Sequence, residues 1–207
     1  MLFTQTIEPG TLSVLKKLMD LPELNPFCLV GGTALSLKYG HRKSIDLDLF
    51  SSKQFDNEEI IDVLQTKFGD SFVYQSGKWG IFAFIENIKV DIIHYPHPII
   101  GKIEIVDNIR FYNNQDLIAM KLQAILGRGV KKDFWDIAQL FEEYTLEEMI
   151  YFHSQKYPNQ MLVISIPQAL TYFSDAEESE NPVTLNNWKW ADIKRIISEN
   201  VRSYLGF

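Results

Sequence analysis

The stretch from Phe27 to Phe50 constrains this chain more than any other. Phe27–Val30 is a short apolar run ending in Gly31-Gly32, which reads as a buried strand entering a tight turn. Thr33–Tyr39 has the length of a short helix, and Gly40 ends it. Ser44–Phe50 then alternates. Ile45, Leu47 and Leu49 fall on one face and Ser44, Asp46 and Asp48 on the other, the period of a strand buried on one side. Strand, turn, helix and strand in one span set the expectation of a mixed α and β fold.

The rest of the first half fits that frame. Thr11–Met19 has helical spacing, with Leu12, Leu15, Leu18 and Met19 on one face, and Pro22 and Pro26 break it. Asn57–Phe68 reads as a helix, Phe72–Gln75 and Gly80–Ile85 as a hairpin around Gly77, and Asn87–Tyr95 as a strand closed by Pro96 and Pro98. Beyond residue 112 the pattern is helical: Gln115–Leu126 with Asn114 as cap, Lys132–Glu143, Leu146–Tyr157, Gln160–Phe173 and an amphipathic Trp188–Leu205. Ser174–Asn187, with four acids before Pro182, reads as an exposed loop. The switch divides the chain into an α/β core, 1–112, and a helical C-terminal subdomain, 113–207, expected to contribute to the site.

Composition narrows the function classes. A length of 207 residues lets folding bury roughly 70% of the extended chain's surface, enough for a real core. The net charge of −7 disfavours non-specific coating of nucleic acid, while a local basic patch stays compatible. Cys28 is the sole cysteine, so neither a disulfide framework nor a Cys-rich zinc site is available. No apolar run is long enough for a membrane span and the N-terminus lacks a leader pattern, so a cytoplasmic protein without an anchor is expected.

The chemistry-bearing residues form two blocks. Asp46 and Asp48, at i and i+2 on a strand, share a face, and two ionised carboxylates that close repel unless a cation bridges them. Mg²⁺ takes one or two carboxylates with waters and substrate phosphates. Roughly one such acidic pair arises by chance in a chain this long, so the company matters. Gly31-Gly32 precedes a helix start, where backbone amides can hold a phosphate, and Thr33 adds a hydroxyl. Asp91 sits mid-strand between Val90 and Ile92, an unusual place for a charge. Downstream stand Lys121, Arg128, Lys131, Lys132, Asp133 and Asp136, the last two on one helix face. Favourable charge at a helix start is the competing reading for the two acids, and a snorkelling lysine for Lys121. Cys28 and His153 read as structural, His94 and His97 lack a third metal ligand, and Trp188 and Trp190 read as core rather than base-stacking.

Gly31-Gly32-Thr33-Ala34-Leu35, then Arg42-x-Ser44-x-Asp46-x-Asp48, then Lys121, Arg128 and Lys132-Asp133-Phe134-x-Asp136 resemble the AbiEii/AbiGii toxin family of the polymerase-beta-like nucleotidyltransferase superfamily. The resemblance covers about Phe27 to Leu140. It implies an α+β nucleotidyltransferase fold, a mixed sheet flanked by helices with a helical C-terminal portion. It implies Mg²⁺-dependent transfer, with two ions, of a nucleotide from an NTP to an acceptor, in some members tRNA. It also implies a cognate antitoxin acting without stable contact. In the mechanism this suggests, Asp46, Asp48 and Asp91 hold metal, with Asp91 as candidate general base. Gly31, Gly32, Thr33, Ser44 and Arg42 meet the phosphates, Arg42 through its bidentate fork. Lys121 and Arg128 neutralise triphosphate, and Asp133 orients them. His41, Lys43, Lys131 and Lys132 are expected in a positive rim, extended by Arg110, Lys189, Lys194, Arg195 and Arg202. The competing readings are a small-molecule nucleotidyltransferase of aminoglycoside type, which calls for an acidic pocket, and a non-catalytic nucleotide-binding module.

Overall fold

The computed structural model of the protein describes residues 1–207. Helix α1 (Pro9–Met19) precedes strand β1 (Cys28–Val30), which runs directly into α2 (Gly31–Tyr39). Then come β2 (Leu47–Ser51), α3 (Asn57–Phe68), β3 (Phe72–Gly77), β4 (Gly80–Ile85), β5 (Ile88–His94), β6 (Glu104–Val106) and β7 (Ile109–Phe111). Helices α4 (Asn114–Gly127), α5 (Lys131–Leu140), α6 (Leu146–Lys156), α7 (Ile166–Thr171), α8 (Ser174–Glu177) and α9 (Trp190–Leu205) complete the chain. The seven strands form one sheet in the order β3-β4-β5-β2-β1-β7-β6. β1 runs antiparallel to β2 and parallel to β7, and β2 runs parallel to β5, so the sheet is mixed and the class is α+β.

Local chemistry explains the element ends. Gly40 stops α2 in the left-handed region, φ +71°. Asp56 caps α3 and Thr145 caps α6, the latter with a reciprocal bond from the Thr145 amide to Glu148. The α4 cap is Asn113, one residue before the expected Asn114, and its Oδ1 accepts from the Asp116 amide at 3.0 Å.

Strand alternation separates two sheet faces. Leu47, Leu49, Val90, Ile92, Ile81 and Ala83 share one face and are buried, with α1 and α3 packed over these strands. Asp48, Lys89 and Asp91 point the other way, toward the cavity that α4 helps to line. Side chains of strands and C-terminal helices join one hydrophobic core; Leu49, Leu117, Ile137 and Ile193 all belong to it.

Four expectations need correction. The strand expected from Ser44 begins at Leu47, because the Lys43 amide donates to Val183 O and the Ser44 amide to Thr6 O instead of to a neighbouring strand. Ile45, expected on the buried face, is therefore 67% exposed. β6 and β7 were not anticipated; their tight turn places Asp107 and Asn108 at positive φ, and that dipeptide is the readable signal. The Gln160–Phe173 helix shrinks to Ile166–Thr171, starting where Pro167 fits a first turn and Ser165 caps it. Ser174–Asn187 is exposed as expected, with Asp175, Glu177, Glu178 and Glu180 at the surface, but it is not a plain loop. It contains α8 and a strap whose Val183 O and Leu185 amide bond the backbone of Lys43 and His41, at 2.7 and 2.8 Å.

Candidate active site

Parallel pairing of β2 with β5 sets Asp48 directly beside Asp91. Both line a cavity of about 470 Å³, together with Asp46, Gly31 and Gly32. At Gly31 φ is +70°, and a Cβ there would stand 2.3 Å from Asp48 Oδ2. Glycine is thus required twice over, by the backbone and by the carboxylate pressed against it. Burial, and then the Asp91 charge, push the Asp48 carboxyl up to about 6. Asp91 Oδ2 accepts from Lys89 Nζ at 2.8 Å, whereas its Oδ1 is buried with no hydrogen-bond partner.

The three acids line one cavity but do not converge into a ready metal-ligand cluster: no three His, Cys, Asp or Glu side chains in the chain form such a group. Asp46 lies just before the β2 ladder, and Lys89 occupies one Asp91 oxygen.

The phosphate-binding expectations divide. Gly31, Gly32, Ser44, Arg42 and Arg128 line the cavity. Thr33 does not; it is buried, and its hydroxyl donates to Asp46 O and lies within hydrogen-bond distance of the Ser44 hydroxyl, tying α2 to the acid-bearing segment. The Arg42 fork, expected to grip phosphate, is spent on Asp136, through Nε at 2.6 Å and Nη2 at 2.8 Å. Nη2 also lies where a Gly32 Cβ would fall, 2.4 Å away, so Gly32 makes room for the guanidinium.

Behind this wall lies a buried ion cluster. Asp136 also accepts from His41 Nε2 at 2.7 Å and meets Lys121 Nζ at 2.7 Å. Lys121 Nζ donates to Asp133 Oδ1 at 3.0 Å, and Arg128 Nε to Asp133 Oδ2 at 3.1 Å. Asp133 sits outside the cavity lining, behind the two cations it holds. Burial alone would raise both carboxyls. Arg42, Lys121 and His41 outweigh it and hold Asp136 well below the carboxylate range, and Lys121 and Arg128 hold Asp133 down.

The positive rim is smaller than expected. Arg128, with its side chain 58% exposed, and Lys132 stand at the open edge. His41, Arg42 and Lys131 are buried, the Lys131 ammonium donating to Glu177 O and Ser179 O. Arg110 donates to three backbone carbonyls near α1 and β1, and Lys194 and Arg195 pair with Glu177 and Glu199. Trp190 stacks on Trp135 at 5.6 Å and packs on the core. Lys89, Phe50, Tyr95 and Gln123 line the cavity without having been singled out from sequence. Only Lys89 carried a signal, two residues from Asp91 on the same strand face.

Residues 13–156 match the family model described as "Nucleotidyl transferase AbiEii toxin, Type IV TA system". A relative from Aquifex aeolicus, the uncharacterized protein aq_aa25, is 32% identical over 197 residues, 92% of this chain and 94% of its own length. Among solved structures, JHP933 from Helicobacter pylori superposes with a TM-score of 0.54 at 14% identity, covering 95% of this chain and 92% of that one. MenT4, the nucleotidyltransferase toxin Rv2826c from Mycobacterium tuberculosis, gives 0.53 at 16%, covering 90% and 81%. At these identities the two structures speak for the fold, and the family match carries the assignment: the chain belongs to the AbiEii family of nucleotidyltransferase toxins.

Proposed function

We propose that the protein transfers the nucleotidyl group of an NTP to RNA, with tRNA as the acceptor, in a Mg²⁺-dependent reaction within a toxin–antitoxin system. The observation that carries this reading is the cavity in which Asp48 and Asp91 stand in register on one wall and the cations of α4 and α5 on the other. The donor set suits magnesium: hard carboxylate oxygens, one of them buried without a partner, and a carboxyl whose ionisation the apoprotein resists. Asp48 and Asp91 would hold the ion, with Asp46 alongside. When bound, magnesium neutralises phosphate charge and lowers the pKa of a coordinated oxygen.

The chain's own residues do the remaining work. The Gly31-Gly32 backbone at the start of α2 receives phosphate oxygens, and Arg128 and Lys132 draw the triphosphate in from the edge. Lys121 lies deeper and stabilises charge on the departing pyrophosphate, while Asp133 and Asp136 hold its ammonium in place. The acceptor hydroxyl oxygen bonds to the α-phosphorus as the α–β bridging bond breaks, and its proton passes to Asp91. Ser44, fixed by Thr33, orients phosphate.

The exposed charged side chains of the lining, Lys89, Arg128 and Lys132, are all cations, which suits a polyanionic acceptor better than a cationic small molecule. Incubation with each α-³²P-labelled NTP, Mg²⁺ and total tRNA tests the reading, with Asp48→Ala as control. Label on tRNA with the intact protein alone is the expected result. No label from any NTP rejects tRNA, and label transferred by a folded Asp48→Ala variant rejects the proposed site.

A further inference from the structure

The cavity has an end that the charged cluster does not use. Its wall is ordered along α4, from Leu117 to Arg128, about 16 Å at 1.5 Å per residue. Arg128 and Lys132, the cations of the open edge, stand at the Arg128 end. Tyr95 belongs to the other end: its ring lies 5.8 Å from the ammonium of Lys156, which pairs with Asp116 in the first turn of α4. The Phe50 and Tyr95 rings lie 5.2 Å apart and both line the cavity, as does Met120. Flat and polarisable, this end suits a nucleobase better than a phosphate.

One polar group of this wall has its orientation imposed from another helix. The Tyr95 hydroxyl bonds the Tyr157 hydroxyl at 2.6 Å, and the His153 ring packs 4.8 Å from Tyr157. His153 Nε2 in turn lies 2.9 Å from Oε1 of Gln123, a cavity-lining residue of α4. His153 is only 4% exposed, and burial pushes its imidazole down to about 4, so it is neutral at pH 7 with one N–H. An amide oxygen only accepts, so that N–H is on Nε2 and donates to Gln123. In this arrangement Oε1 faces His153 and the –NH₂ faces away from it. The Gln123 –NH₂, which is not buried, keeps its donors for the cavity.

We infer that Gln123 reads the base of the incoming nucleotide by donating from its –NH₂ to a base carbonyl, and that His153 is a positioning residue holding that amide. The inference rests on the nucleotidyl-transfer reading above. Uracil, cytosine and guanine carry a carbonyl and adenine does not. A glutamine matches adenine at two points, its oxygen accepting from the 6-amino group while its –NH₂ donates to a ring nitrogen. His153 takes one lone pair of Oε1 and holds the plane of the amide, so that two-point match is weakened and adenine is the disfavoured base.

Calorimetric titration of the intact protein with ATP, GTP, CTP, UTP and inorganic tripolyphosphate, in Mg²⁺ without acceptor, tests this. ATP is expected to bind about tenfold more weakly than the tightest of the other three, or about 1.4 kcal/mol. Gln123→Leu keeps a good helix former and removes the donor. It should compress the spread to about threefold or less while tripolyphosphate binding stays unchanged. His153→Phe should compress it likewise, and His153→Gln, which restores an N–H donor, should recover the ranking. ATP bound as tightly as the others, or a ranking unaltered in Gln123→Leu, overturns the inference and leaves nucleotidyl transfer standing. Failure of the parent protein to bind any NTP or tripolyphosphate overturns both.

Discussion

Replacing Asp136 by Asn tests the central claim about how the site is held. Asp136 is fully buried and faces Arg42 Nε at 2.6 Å, Arg42 Nη2 at 2.8 Å, Lys121 Nζ at 2.7 Å and His41 Nε2 at 2.7 Å. Asparagine is nearly isosteric, so packing is kept and the charge removed. What remains is two buried cations with Asp133 as the nearest anion, itself shared with Arg128. Breaking one side of a buried ion pair costs about 3–5 kcal/mol, since the partners stay desolvated. That is a large part of the roughly 5–15 kcal/mol that stabilises an ordinary domain. For a chain of this size it corresponds to a fall in Tm of roughly 6–20 °C.

Acid sensitivity gives an independent readout of the same residue. Because the folded pKa of Asp136 is depressed, its contribution is fully present above the unfolded value, about 3.9, and fades as pH falls from there toward the folded value. Asp136→Asn should therefore be much less stable at pH 7, with a shallower loss of stability below pH 4. Urea titrations followed by circular dichroism at pH 7, 5 and 3 measure both. A variant within 1 kcal/mol of the parent at pH 7, on the order expected of an exposed pair, would refute the reasoning.

Other expectations follow from the same geometry. Asp48→Asn should abolish transfer yet stabilise the apoprotein above pH 6, because a carboxyl whose folded pKa is raised to about 6 weakens the fold progressively as pH rises from the unfolded value, about 3.9, and in full above about 6. Converting the rise gives on the order of 3 kcal/mol as an upper bound, and chemical denaturation at pH 8 against pH 5 checks the sign. Gly31→Ala places a Cβ against the Asp48 carboxylate at positive φ, so a loss of about 1–3 kcal/mol should accompany loss of transfer; unaltered transfer would count against the assigned role of Gly31. Lys156→Met leaves Asp116 buried and unpaired, with only the Ile100 and Gly101 amides as tertiary donors, and should cost about 3–5 kcal/mol by thermal unfolding. An exposed control, Arg195→Ala, should shift stability by less than about 1 kcal/mol.

The features legible in sequence were those set by short-range physics. The period-2 run through Leu47 and Leu49 put Asp48 on the face opposite the core, because successive residues of a strand point to opposite sides. Gly31-Gly32 announced a turn that a Cβ would block, and the stop at Gly40 follows from backbone groups and their immediate neighbours. Even there, the start of β2 slipped by three residues, because the amides of Lys43 and Ser44 found partners in Val183 and Thr6, which no local pattern announces.

Tertiary structure alone decided what those residues face. Asp48 meets Asp91 only because β2 and β5 pair in parallel, in a register set by burial along both strands. Arg42, which from sequence reads as a phosphate ligand, is turned into a structural cation by Asp136, 94 residues away. Lys131 leaves the rim because the end of α8 and the turn after it offer it two carbonyls, and Gln123 takes a defined orientation because α6 brings His153 against it. Local sterics and the exclusion of apolar groups from water act along the chain and leave a periodic trace in the sequence. Desolvated charges and buried hydrogen-bonding groups are satisfied by whichever partner the fold brings within 3 Å, and that choice leaves no such trace.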